Sequence, residues 1–178
     1  WNFSEASFGM AALNSYYATP SVADSHGFTL ADAPWPHIFD PFREAVAGKK
    51  VAVIGHFPFA PKALTQAADF YMLERSLNEG DYPDSAAEYI LPECDYVFIT
   101  GSAFVNKTAP RLLELSRDAF NVILGPTTPL APVLVEDYGV SQVTGMLPTS
   151  PLAMFEGLSG TDAATAMFEW GHRAELSA

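Results

Sequence analysis

Lys49-Lys50-Val51-Ala52-Val53-Ile54-Gly55-His56 decides how this chain reads. It is a short apolar run rich in β-branched residues that ends on glycine. A strand with one face in water alternates apolar and polar residues, whereas this run does not alternate. That is the pattern of a strand buried on both faces, as in a parallel sheet covered by helices. In open α/β sheets, ligands sit in the crevice beyond the carboxyl ends of the strands. Gly55 and His56 are therefore read as the floor of a candidate site.

Working outward, strands alternate with helices. A helix near Lys62–Ala68 follows the first strand, and a second strand at Asp69–Leu73 ends on Glu74-Arg75. Ser76–Asp84 reads as a polar loop and Ser85–Leu91 as a short helix. Tyr96-Val97-Phe98-Ile99-Thr100-Gly101 is a third buried strand. Thr108–Ala119 is a helix with Pro110 in its first turn, where a missing N–H does no harm. Asn121-Val122-Ile123-Leu124-Gly125 is a fourth strand. A helix is expected after Thr128, with Pro129 at its first position, and Val140–Gly145 is a fifth strand. Thr161–Ala174 is expected as a closing helix with Met167 and Phe168 on one side.

Alternation of this kind predicts α/β architecture: a Rossmann-like parallel sheet of about five strands flanked by helices, over residues 48–178. The first strand is expected between the second and third, which makes its end the switch point. Residues 1–47 read as a partial N-terminal helical and connector region. Asn2 with Glu5 resembles a capping box opening a helix from Phe3 to Tyr17. A proline-rich connector follows, held by Trp35, Phe39 and Phe42 against something apolar. A short helix at Asp40–Ala47 ends at Gly48.

Composition narrows the function. Hydrophobic residues make up 49% of the chain and charged ones 17%, as in a globular domain with a sizeable core. Nine Lys+Arg stand against 21 Asp+Glu, a net charge of -12. Without a basic field to neutralise phosphates, nucleic acid is not an expected partner, and an anionic membrane surface is disfavoured for the same reason. No run is long enough to span a bilayer and no signal peptide is visible, so a cytoplasmic address is expected. Cys94 is the single cysteine, which excludes an intramolecular disulfide or thiolate cluster.

Four strand ends deliver candidate ligand-binding residues: Gly55-His56, Glu74-Arg75, Thr100-Gly101-Ser102 with Asn106, and Gly125 with Thr127 and Thr128. The glycines let backbone approach a ligand; read singly, each is also an ordinary strand-to-turn glycine. Free amides ahead of the helix expected after Thr128 would favour an anion, or Thr128 simply caps its own helix. His56, the one histidine at a strand end, is a candidate acid/base or metal ligand, with Glu74 as its carboxylate neighbour. Against these stand bland readings, a satisfied structural histidine and a Glu74-Arg75 ion pair at the sheet edge. Glu74 lies 19 residues after Gly55, near the spacing of a ribose-binding acid. The glycine fingerprint is missing, however, and Pro58 and Pro61 remove amides that a pyrophosphate would need, so NAD or FAD binding is not expected.

The ordered set Glu5-Ala6-Ser7 with Ala11-Ala12-Leu13-Asn14, Val53-Ile54-Gly55-His56-Phe57-Pro58, Leu73-Glu74-Arg75, Ile99-Thr100-Gly101-Ser102 with Asn106-Lys107-Thr108, Gly125-Pro126-Thr127-Thr128-Pro129 and Gly145 resembles a known family. It is the bacterial and archaeal family of unknown-function proteins labelled "putative heavy-metal chelation". The resemblance implies a Rossmann-like C-terminal domain preceded by a small domain like the enolase N-terminal fold. This sequence departs by lacking most of that preceding domain; either the remainder is absent here or a partner supplies it. The residues argue against chelation in its strict form, because soft metals prefer thiolates. A metal would need carboxylates such as Glu74, Asp81 and Asp84, a bound ligand or a second subunit.

Two functions follow as expectations. One is a module that binds a small anionic or metal-chelating ligand at the strand ends. The other is an enzyme using His56 as acid/base on a small polar substrate. A third possibility is a structural or partner-binding domain, with the apolar connector around Trp35 and Phe39 as an interface, homodimeric or with another partner.

Overall fold

In the computed structural model, which describes residues 2–161 and 163–178, Lys50–Ile54 is a strand closed off on both faces. Val51 and Val53 enter one core with Phe98, Val122 and Leu124. Ala52 and Ile54 enter the other with Val97, Ile99 and Ile123. Successive strand residues point to opposite faces, so burial on both sides requires an unbroken apolar run.

The chain opens with α1 (Phe3–Tyr17), α2 (Pro20–Ser25) and β1 (Thr29–Leu30). It continues through β2 (Lys50–Ile54), α3 (Ala60–Ala63), β3 (Asp69–Glu74), β4 (Tyr82–Pro83) and α4 (Ala87–Ile90). Next come β5 (Tyr96–Thr100), α5 (Ser102–Val105), α6 (Ala109–Leu115), β6 (Phe120–Leu124) and α7 (Val133–Glu136). It closes with β7 (Gln142–Pro148), α8 (Pro151–Leu158), α9 (Ala163–Trp170) and β8 (Gly171–Ser177). One eight-stranded sheet has the order β1-β8-β7-β6-β5-β2-β3-β4. The strands from β4 across to β7 pair in parallel, while β8 runs antiparallel to both β7 and β1. β2 lies between β3 and β5, so the strand order reverses at its carboxyl end, as expected.

The sheet is wider than five strands. β4 lies in the segment expected as a loop and β1 in the connector. The closing helix expected over Thr161–Ala174 stops at Trp170, and the chain turns into β8; Asp162 and the side chain of Ala164 lie outside the described residues. The apolar spacing of Met167 and Phe168 is truly helical, but β7 would otherwise expose a row of unpaired amides and carbonyls. β8 satisfies them from Gln142↔Ser177 to Pro148↔Gly171. A Cβ on Gly171 would come within 2.5 Å of the Met167 carbonyl oxygen, so the change from helix to strand needs glycine there.

The connector is part of the core. Trp35 and Phe39 are 5% and 0% exposed, which removes them as an interface. Phe39 and Phe42 stack edge-on against Phe98 of β5, with centroids 5.2 and 5.0 Å away. The helix expected at Asp40–Ala47 is a single 3-10 turn, Asp40–Phe42, followed by irregular turns. α1 has the bounds expected of it. The Oδ1 of Asn2 accepts from the amides of Ser4 and Glu5 at 3.1 and 3.2 Å, which satisfies orphan donors of the first turn. No residue of α1 is buried. Among the described residues no helix is long and apolar enough to cross a membrane.

Candidate functional site

The ends of β3, β2 and β5 enclose a cavity of about 450 Å³, with the loop after α5 as its far wall. His56, Arg75, Asp84, Thr100, Ser102 and Thr108 give it a polar lining, over apolar Ile54, Leu73 and Leu112. Gly55 and Glu74 line it too, as does Asn106. Gly55 has φ +103°, and a Cβ there would press within 3.1 Å of Thr100 Cβ, so β2 can meet β5 this closely only through glycine. Beyond His56, the ring of Phe57 stacks on Phe39 with centroids 5.6 Å apart. The aromatic core thus anchors the loop that carries the histidine.

Glu74 does not pair with the His56 ring, and it is not an ion-pair partner of Arg75. Its Oε2 accepts from the backbone amide of His56 at 2.9 Å, and its Oε1 from the amide of Arg75 at 2.7 Å. It acts as a clamp between two strand-end loops. The ring's partner is Asp81: Nδ1 lies 3.1 Å from Asp81 Oδ2. The Asp81 side chain has no solvent exposure. It also accepts from the backbone amide and the Nδ2 of Asn78, at 2.9 and 3.3 Å. The Asn78 amide holds its carboxyl below the usual carboxylate range, against the effect of burial, and the Asn78 and His56 side chains add to that. An ionised carboxylate can only accept, so Nδ1 carries the hydrogen in either charge state of the ring. In the neutral ring, Nε2 is then the lone-pair nitrogen, available to a ligand, a proton or a metal.

Arg75 reaches across the cavity mouth to Asp84, Nε to Oδ2 at 3.4 Å, and its guanidinium lies 6.0 Å from the Phe3 ring of α1. Both partners are half exposed, so the guanidinium can turn toward a ligand at little cost. On the opposite wall the hydroxyls of Thr100 and Ser102 are 2.7 Å apart. Asn106 Oδ1 accepts from the amide and hydroxyl of Thr108 at 3.1 and 2.6 Å, closing the turn around Lys107.

Four candidates lie elsewhere. Gly101, Gly125, Thr127 and Thr128 do not line the cavity. A Cβ on Gly101 would fall 2.5 Å from the Thr128 amide nitrogen, and one on Gly145 would fall 2.7 Å from the Thr128 carbonyl oxygen. These glycines admit the chain after β6 into the end of the sheet. Thr128 is 2% exposed and caps no helix. The helix expected after it is a single turn, α7, beginning only at Val133 behind Pro132. Prolines at 129 and 132 and burial of the intervening chain replace helix with irregular backbone, so the expected anion site at its start does not form. The carbonyl of Thr127 accepts from Asn14 Nδ2 of α1 at 3.1 Å.

Sequence reasoning named Asp81 only as one of several carboxylates and missed its pairing with His56. Asn78-Glu79-Gly80-Asp81 is turn chemistry, with Gly80 at φ +90°, and that signal could have marked Asp81 as a fixed residue. It could not have named the partner.

The donors do not suit a soft metal bound by protein alone. No group of three or more His, Cys, Asp and Glu side chains among the described residues could hold an ion. Cys94 is buried, and burial pushes its thiol up to about 11, away from the thiolate form.

A family model described as "Putative heavy-metal chelation" (DUF364) matches residues 37–174. A solved structure of an unknown-function protein of this family from Desulfitobacterium hafniense is 43% identical, with a TM-score of 0.87 over 100% of this chain and 70% of that one. A second family member, from Pyrococcus horikoshii and also of unknown function, is 22% identical with a TM-score of 0.75, covering 96% of this chain and 67% of that one. That second likeness is one of fold. An uncharacterized protein of Methanocaldococcus jannaschii is 31% identical over an alignment of 101 residues, which covers 53% of this chain and 39% of that protein's length.

Proposed function

The chain belongs to the DUF364 family, described as "Putative heavy-metal chelation", and from that premise we propose that its strand-end cavity binds a small anionic or metal-chelating compound. The observation that carries this reading is His56, held from behind by Asp81, in the wall of a cavity of about 450 Å³ that Arg75 also lines. A buried, ionised carboxylate fixes which imidazole nitrogen is free, so His56 meets a ligand in one tautomer. Arg75 supplies a charged fork suited to carboxylate or phosphate. Ser102, Thr100 and Thr108 supply hydroxyls that both donate and accept. Heavy-metal binding, on this reading, belongs to the compound: the metal arrives with its own donors, and Nε2 of His56 adds one more.

Native mass spectrometry of gently purified protein, with elemental analysis of the same sample, tests it. The expected result is a retained small molecule, with or without stoichiometric metal, that is lost in His56→Ala and weakened in Ser102→Ala. Retention undiminished in both variants overturns the placement. A bare polypeptide that no carboxylate, phosphate or metal–chelator complex stabilises against heat overturns the binding reading itself.

The same pair favours a second reading, in which His56 acts as acid/base on a small polar substrate and Asp81 is its positioning residue. It predicts a pH-dependent turnover abolished in His56→Ala. Turnover unchanged in that variant sinks it.

A further inference from the structure

Far from this cavity, a second charged side chain is buried with most of its hydrogen bonds unmade. Arg173 lies on β8, opposite Met146 of β7, and is 3% exposed. From β8 to β2 is four strand spacings, roughly 19 Å across the sheet. Of its three guanidinium nitrogens, Nε and Nη1 have no partner among the described residues. The third, Nη2, is 3.5 Å from Glu175 Oε1, too long for a strong charge-assisted bond.

Nearby carboxylates do not make up the deficit. Glu175 reaches only Nη2, at 3.5 Å, and leaves Nε and Nη1 unmatched. Asp40 is engaged elsewhere: Oδ2 lies 2.6 Å from His37 Nδ1, and Oδ1 accepts from Arg43 Nη2 at 3.0 Å. A buried guanidinium left in this condition is costly, because desolvation is not offset by paired hydrogen bonds.

Arg173 lines a cavity of about 130 Å³ formed with Ala31, Asp32, Trp35, Phe168 and Gly171. The cover is built in place. The amide of Ala31 donates to the Arg173 carbonyl at 3.0 Å, and Trp35 Nε1 donates to the Gly171 carbonyl at 2.9 Å. Such a volume suits one small oxyanion or a few waters, each taking about 30 Å³ of liquid volume. Waters would satisfy the N–H groups but add no charge, whereas an oxyanion would meet Nε and Nη1 with charge-assisted bonds. We propose that this cavity is an oxyanion site, in which the Arg173 guanidinium binds a phosphate, a sulfate or the carboxylate end of a small acid. Asp32 is the one acidic side chain in the lining; exposed at the rim, it works against an anion and sets the affinity.

Arginine side-chain NMR on the whole ¹⁵N-labelled chain tests this, with phosphate, sulfate and acetate each titrated at constant ionic strength against chloride. The expected result is that one Nε–H resonance, absent from the Arg173→Lys spectrum, moves saturably with at least one oxyanion and exchanges more slowly with water. Asp32→Asn should bind that oxyanion several-fold more tightly. If Arg173→Lys does not fold, the Asp32→Asn comparison by thermal stabilisation decides alone. No saturable shift or stabilisation with any of the three anions overturns the site. An affinity unchanged in Asp32→Asn overturns its location.

Discussion

The His56 corner and the Arg173 cavity beside β8 each bury a charged group near the carboxyl ends of the parallel strands, and they partner it in opposite ways. Among the described residues the Asp81 carboxylate takes hydrogen bonds from the backbone and side-chain amides of Asn78 and from the His56 ring, which reaches both oxygens, all between 2.9 and 3.3 Å. Among the described residues the Arg173 guanidinium has one polar partner, Glu175, at 3.5 Å. The first corner is self-sufficient: its residues hold each other, and a ligand would find them already in place. The second is short of hydrogen-bond partners, so an occupant would supply what the described residues omit. Preorganisation and incompleteness are thus two distinct signs of a site, one seen in bonds made and the other in bonds missing.

The largest effect that can test the comparison lies between the two regions. Gly101→Ala puts a methyl group 2.5 Å from the Thr128 backbone, which cannot move without disturbing Gly145 on its other side. Overpacking against backbone should cost about 3 kcal/mol, read as a lowered urea midpoint. A midpoint within error of the parent chain would mean that the chain after β6 is not wedged between β5 and β7.

Self-sufficiency at the His56 corner is sharpened by Asp81→Asn. Its amide can donate as well as accept, so Nδ1 is no longer obliged to carry the hydrogen. Imidazole ¹⁵N shifts should move from one dominant tautomer to a mixture, with the backbone spectrum otherwise preserved. A tautomer ratio that does not change would break the assignment of Asp81 as the positioning group.

Acid titration gives a smaller effect with a definite sign. The Asp81 carboxyl is lower in the folded chain than its unfolded value of about 3.9. Its contribution to stability is therefore complete above that value and lost as pH falls through the lower, folded one. Stability measured below about pH 4 should decline less steeply in Asp81→Asn than in the parent. An identical slope would mean that Asp81 titrates alike folded and unfolded.

Cys94 should give the smallest effect of all. Its thiol is pushed up to about 11 by burial, so native protein at pH 8 should react with a thiol reagent far more slowly than unfolded protein. Cys94→Ala should leave any heavy-metal binding unchanged, and metal binding lost in that variant would reinstate a thiolate ligand.

The range of legibility varied by residue. Val51–Ile54 and Tyr96–Ile99 could be read as buried strands because their burial is written residue by residue as an apolar run. α1 showed its bounds through Asn2 and its apolar spacing. The candidates Gly55, His56, Arg75, Thr100 and Ser102 were legible because strand ends in an α/β sheet converge by topology. Thr128 misled because a Thr-Pro pair opens a helix only if the following backbone is free to coil, and here the chain is buried between Gly101 and Gly145. Residues 171–174 misled because their conformation is decided by the open edge of β7, more than twenty residues away in sequence.

The sequence by itself determined the α/β class, the position of β2 at the switch point and the resemblance to the family, since all three rest on local runs and their order. Only the tertiary structure decided that Glu74 clamps amides, that Asp81 orients His56 and that Arg173 is buried short of partners. Those are pairings between residues distant in the chain, and hydrogen bonding and desolvation depend on what lies across the fold.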